Sequence, residues 1–342
     1  MITTIKGDIT SEGLKNLLPH EHILSDLRPL VAPLDDEDFY NPITLENFGK
    51  LTRNPYAILD NALIGDADVA VKELKKYKDA GGTLIADVTT VDFGRDVKAL
   101  ADISEKSGVH IVLGCGSYID ASVSDEIKAL SKDELKKRII TELTVGIDGT
   151  DMRAGVIGEV GTSGEMTEFE KKSLAAASEA QAETGYGMHI HACLWNREGL
   201  NALDWAVKNG ANPEKIAVDH VDVLLDEDYI LGVLDRGAYV DFDDFGKEFY
   251  VDRPTRNLLL GSFATDVERV KFIKKLIDKG YKNQILITND ICLKSMLHTY
   301  GGWGYDHVIT NIIPMMEDFG ISAEDIDTMM TKNPIRFLER SK

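Results

Sequence analysis

Cysteine is scarce in this chain of 342 residues: Cys115, Cys193 and Cys292 lie far apart and are odd in number. That excludes a disulfide framework. Long apolar runs are missing too. No stretch approaches the roughly 18 uninterrupted apolar residues that a membrane helix needs. The opening MITTIKGDITSEG has neither the basic segment nor the apolar core of a secretory signal. Positive charge is in deficit, with 38 basic against 58 acidic residues and a net charge of −20. Such a field repels phosphate backbones and anionic headgroups, so nucleic acid and membrane surfaces are poor partners. The expectation is a cytoplasmic protein that acts on a small molecule. No low-complexity tract and no Pro-, Gly- or Ser-rich linker cuts the chain. Residues 1–342 are therefore read as one domain, a length that single α/β barrels commonly reach.

What is present is alternation. Short apolar or β-branched runs occur at 83–90 (TLIADVTT), 109–115 (VHIVLGC), 155–161 (GVIGEVG), 187–192 (GMHIHA), 215–220 (KIAVDH), 238–243 (AYVDFD) and 284–290 (QILITND). Amphipathic segments lie between them. DVAVKELKKYKDAGG carries Val69, Val71, Leu74 and Tyr77 at helical intervals and stops on Gly81-Gly82. DVERVKFIKKLIDKGY is expected to face Val267, Val270, Ile273 and Ile277 inward. With the run ending at His22 there are about eight strands, each followed by a helical segment, as a (β/α)8 TIM barrel requires. An open doubly wound sheet would be expected to show a glycine-rich phosphate loop after its first strand, and none is there.

In such a barrel the active site lies at the C-terminal ends of the strands, so polar residues there carry information. His20 and His22 end the first run; Glu159, His191, His220 and Asp290 fall late in four others. Period-2 alternation turns His20 and His22 to the same side and Glu21 away. It also sends Asp219 to the face opposite His220. Each residue alone has a dull explanation: His220 a satisfied strand-end histidine, Asp290 a helix cap. His110, His189, His298 and His307 are assigned to packing, surface or support. The joint pattern decides. Four His, one Glu and one Asp form a mixed N/O set suited to one or two divalent transition metals, with zinc, manganese, cobalt and iron all admissible.

The ordered series HxH, Glu, His, His, Asp on successive barrel strands resembles that of the amidohydrolase superfamily, and within it the phosphotriesterase-like family. KGDITSEGLKNLLPHEHIL is similar to that family's N-terminal segment. VDFGRDVKALADISEKSGVHIVLGCGSYID is similar to its second and third barrel units, and GVIGEVGTSGEMTEFEKKSLAAASEAQAETG to its fourth. QILITNDI, GGWGYDHVITNIIPMM and TKNPIRFLE resemble its last strand, last active-site loop and C-terminal helix. The resemblance implies that His20, His22 and Asp290 bind a buried α metal, and that His191 and His220 bind a more exposed β metal. The best-known members bridge the two with a carbamylated lysine. This chain has Glu159 there, so it resembles relatives with a bridging glutamate. Two metal ions, zinc first among them, and a homodimer are further implications.

A metal-activated hydroxide would then be the nucleophile, because bound metals lower the pKa of water from 15.7 to roughly 7. Asp290 is placed to move its proton to the leaving group. No G-x-S-x-G elbow offers a serine nucleophile. Lactone or carboxylic ester hydrolysis ranks first, phosphorylated sugar lactones included, with phosphotriesters as promiscuous substrates. Tyr118 is expected to wall the pocket, and Lys247 and Lys294 to meet an anionic substrate group. The alternatives are another amidohydrolase branch (cyclic amidase or nuclease) and a non-catalytic ligand-binding relative.

Overall fold

The apolar runs become eight parallel strands that follow one another round a barrel in chain order. They are β1 (Leu18–Glu21), β2 (Leu84–Asp87), β3 (His110–Cys115), β4 (Val156–Gly161), β5 (Met188–His191), β6 (Ile216–Val218), β7 (Tyr239–Phe242) and β8 (Ile285–Ile287). The structure, a computed structural model, describes residues 1–250 and 262–340. Among the described residues the longer helices pack outside the strands: α1 (Ala67–Asp79), α2 (Val97–Ser107), α3 (Lys132–Thr144), α4 (Glu168–Thr184), α5 (Glu198–Lys208), α6 (Glu227–Asp235) and α7 (Asp266–Asp278). A further helix, α8 (Asn333–Leu338), closes the far end. Among the described residues no helix is long and apolar enough to cross a membrane.

Local chemistry explains where the helices start. Thr167 with Glu170, and Thr265 with Glu268, form reciprocal capping boxes at α4 and α7. In α1 the expected stripe of Val69, Val71, Leu74 and Tyr77 is buried. In α7 the inward stripe is Asp266, Arg269, Val270, Ile273 and Leu276, whereas Val267 is exposed. The capped first turn draws Asp266 inward to His307, Nε2 to Oδ2 2.8 Å, which rotates Val267 to solvent. Between β1 and α1 the chain makes a long excursion, tied at its base by pairing of Ser25–Asp26 with Leu63–Ile64.

The barrel interior changes character along its axis. At the N-terminal end Leu84, Ala86, Val112, Val156, Ala217 and Leu286 pack together, sealed by Phe337 of α8. Above Phe337 sits His189, ring centroids 4.7 Å apart, and from there upward the filling is ionisable. Burying so many polar groups is unfavourable unless each is paired or bound. The fold therefore concentrates its unmet hydrogen bonding at the mouth where the strands end.

Candidate metal centre

Two ladder irregularities aim the first ligand candidates. The β4–β5 register shifts between Ile157 and Val160, leaving one extra residue on β4 around Gly158-Glu159. Gly158 has φ 116°, and a Cβ there would come within 2.7 Å of the His189 carbonyl oxygen, so only glycine fits. Bulges of this kind redirect a side chain next to a site, and Glu159 enters the barrel mouth almost wholly buried. A second shift, between Leu18 and Glu21, brackets His20. The ends of β6 and β8 use another device. The ladders stop at Val218 and Ile287, earlier than the apolar runs suggest. His220 and Asp290 follow with left-handed φ of 59° and 45°. Such backbone at non-glycine residues is strained and marks positions over-determined by their surroundings.

The six residues singled out in the sequence converge. Glu159 Oε1 lies 3.6 Å from His22 Nε2, and its Oε2 lies 3.0 Å from His191 Nδ1 and 3.4 Å from His220 Nε2. His20 Nε2 is 3.5 Å from Glu159 and 3.7 Å from Asp290 Oδ1, and His22 Nε2 is 3.1 Å from Asp290 Oδ1. Several overlapping sets could hold a cation: His20, His22 and Glu159, and Glu159, His191 and His220, share the glutamate, while others join His220 with Asp244 and Asp290 or His20 with the acidic groups beneath it. The donor chemistry fits. His20 Nε2 and Asp290 Oδ1 are buried without a hydrogen-bond partner. His22 keeps Nδ1 on Thr89 Oγ1 at 2.9 Å, and His220 keeps Nδ1 on Asp243 Oδ1 at 3.0 Å, which leaves each Nε2 to face the centre. Orientation of a ligating imidazole by its other nitrogen is the usual arrangement in metal sites.

Burial and charge divide the protonation states. Burial holds His20 well below the usual imidazole range, only partly offset by Glu159 and Asp290, so it stays neutral. Burial alone would raise Glu159 and Asp290, but neighbours overturn it. His191, His220 and His20 hold Glu159 well below the carboxylate range, and Lys247, His22 and His20 do the same for Asp290. Beneath His20 lies a buried acidic layer: its Nδ1 is 3.5 Å from Asp219 and 3.6 Å from both Asp241 and Asp243. Burial and mutual repulsion push Asp219 and Asp241 well up from the usual carboxylate range.

Asp219 thus does not point away from the site. Because β6 has already ended, it turns into the barrel and binds His189 Nδ1 at 2.8 Å. Tyr118 stands over His191, its hydroxyl 3.4 Å from both ring nitrogens, and lines the cavity. Lys247 also lines that cavity, but its Nζ is held by Asp290 and, at 3.0 Å, by Asp244. Lys294 does not line it; it pairs with Asp60 and sits over the Tyr300 ring. The cavity measures about 130 Å3 and is walled by Tyr56, Phe93, Trp195, Phe249 and Phe263. Sequence reasoning missed these walls, which come from loops without periodicity. It also missed Asp243 and Asp244, although the run AYVDFD announced a polar strand end there.

The sequence profile of the Phosphotriesterase family matches residues 1–338. A relative named N-acetyltaurine hydrolase, from Danio rerio, is 35% identical over 344 residues, covering 98% of this chain and 97% of that protein. Among solved structures, a resiniferatoxin-binding protein from Rhodobacter sphaeroides superposes with a TM-score of 0.95 at 33% identity, covering 99% of this chain and 94% of the other. The phosphotriesterase homology protein from Escherichia coli, complexed with phosphate in its active site, gives a TM-score of 0.79 at 27% identity, covering 96% and 100%.

Proposed function

Since this chain belongs to the phosphotriesterase family, we propose that it hydrolyses a small carboxylic acyl compound at a centre of two divalent transition metal ions. One observation carries this: a single buried carboxylate, Glu159, lies among all four histidines, with Oε1 3.6 Å from His22 and Oε2 3.0 Å from His191, 3.4 Å from His220 and 3.5 Å from His20. His20, His22 and Asp290 would hold one ion, His191 and His220 the other, and Glu159 both. Carbamate and carboxylate alike present two anionic oxygens, so the glutamate replaces a carbamylated lysine without needing carbon dioxide. Bound ions, zinc first among the candidates, supply an acidified water and polarise the scissile carbonyl. Asp290 takes the proton of the attacking water and returns it to the leaving atom. Lys247, in contact with Asp290 Oδ2, keeps that carboxylate ionised and in place.

The cavity is open to solvent on one side, and its space of about 130 Å3 over the ligand candidates has room for the reacting acyl group of a small substrate. The name of the Danio rerio relative favours an N-acyl amide. The aromatic walls favour an uncharged lactone or ester as the second substrate class. Metal analysis of the purified protein, chelation and readdition come first, followed by a panel of N-acetyl amides, lactones, esters and phosphotriesters. We expect two equivalents of metal, activity abolished by chelation and restored by zinc, and turnover of a carbonyl substrate. Full activity in metal-free protein would sink the reading. Tight ligand binding without turnover across the panel would instead favour a binding protein.

Lys247 separates two roles. Its charge is engaged by Asp290 and Asp244, so Lys247→Met should lower kcat about tenfold or more for neutral and anionic substrates alike, as loss of a group supporting a ligand does. Steady-state kinetics on a matched pair of substrates checks this. A rise in KM confined to the anionic one would return Lys247 to substrate binding.

A further inference from the structure

The residue between the two histidines, Glu21, is wholly buried and carries no role in the hydrolysis just described. Its carboxylate does not face the centre. Oε1 accepts from the backbone N–H of Asn289 at 2.8 Å, Thr288 Oγ1 at 2.6 Å and Asn289 Nδ2 at 3.0 Å. Oε2 accepts from the backbone N–H of Ile291 at 2.8 Å. Three of these groups are N–H donors, and the fourth, the Thr288 hydroxyl, has a single hydrogen to divide between Glu21 and the His20 carbonyl. The two backbone amides flank Asp290, one on each side of its left-handed turn. No ladder joins β8 to β1 among the described residues, whereas the other seven neighbouring pairs are laddered. Side chains span that seam instead: Glu21, Thr288 Oγ1 on the His20 carbonyl at 2.9 Å, and Tyr305 Oη on the His22 carbonyl at 2.8 Å.

Two other ligand-bearing strand ends are gripped in the same way by a carboxylate from the next strand. Asp87 accepts from the N–H of Ile23, just past His22, at 2.9 Å, and Asp243 accepts from the N–H of His220 at 2.9 Å. Glu21 is the member of this set that reaches across the open seam.

We infer that Glu21 is a positioning residue: its carboxylate, clamped on the amides of Asn289 and Ile291, fixes the turn that presents Asp290 to the ion held by His20 and His22. The tripeptide His20-Glu21-His22 then supplies two ligands directly and secures a third from the opposite end of the chain. This rests on the metal reading proposed above, and the experiment keeps the two apart.

The variant is Glu21→Gln in the full chain, compared with wild type. Glutamine keeps the shape but offers one acceptor and one amide donor, so one of the two backbone N–H groups loses its partner. In metal-free protein, hydrogen exchange at Asn289 or Ile291 should speed up by about tenfold or more while β2 and β3 amides stay protected. On zinc titration one of the two equivalents should weaken by about 10–100-fold, the range for lost ligand support. kcat should fall with KM little changed. If Glu21→Gln does not fold, Glu21→Asp, which keeps the charge and shortens the reach, should show the same pattern more weakly. Unchanged metal affinity and kcat, with only a lower Tm, would reduce Glu21 to a seam element and overturn the inference. Wild-type protein that binds no transition metal would overturn the metal reading first, and the clamp's role in it as a consequence.

Discussion

Asp290→Asn should lower kcat by about 10^3–10^4-fold in a protein that still folds, the upper range for removing a general base. The substitution is isosteric, and Lys247 retains Asp244 at 3.0 Å, so the buried cation is not stranded. The clamp from Glu21 acts on neighbouring backbone amides and survives. What disappears is specific to the carboxylate: the anionic oxygen near His20 and His22, and the acceptor that moves a proton. Kinetics paired with a thermal melt checks it. A loss of less than tenfold at wild-type Tm would remove Asp290 from the proton path.

Glu159→Gln should cost at least one metal equivalent and about 10^3-fold in kcat, or roughly 4 kcal/mol of transition-state stabilisation. Glu159 and Asp290 are the two anions that the six-residue set offers to a pair of divalent cations. Neutralising Glu159 halves that charge and replaces one acceptor oxygen by a donor. His20 and His22 would still face the Asp290 carboxylate, at 3.7 and 3.1 Å, so one ion can be kept. The opposing effect is easier deprotonation of His22 and His220, which Asp290 and Asp243 hold up against burial and to which Glu159 adds less, and this favours metal binding. It is the weaker effect, since close cations need an anion between them more than neutral imidazoles need a lower pKa. Elemental analysis alongside kinetics decides. Two retained equivalents at wild-type affinity would exclude Glu159 as the bridge.

The barrel was legible because strands buried on both faces read as continuous apolar runs, as at 109–115 and 284–290. The six convergent residues were legible because barrel chemistry collects at strand ends. Three features escaped for physical reasons. Alternation misplaced Asp219, since it assumes that the strand continues and β6 stops at Val218. Helical periodicity put Val267 inward because it cannot see that His307 pulls Asp266 into the core. Lys247 was legible as a cation on an active-site loop, but its partners Asp244 and Asp290 depend on how two loops meet. Tyr56 and Phe93 reach the pocket from segments with no repeat to betray them. Glu21 was read as facing away; its target lies 268 residues further along and no spacing rule connects them.

That separation has a consequence for how the protein is made. A chain emerging from the ribosome would present His20, His22, Glu159, His191 and His220 well before Asp290 and the amides that Glu21 grips. Until the eighth strand is synthesised, the buried half of the centre lacks its final oxygen and the seam has nothing to hold. Contacts of such high sequence separation form late, after shorter loops have closed. The first and last strands can therefore meet only on the finished chain, and Asp290 is the last of the six residues to reach its neighbours His20 and His22.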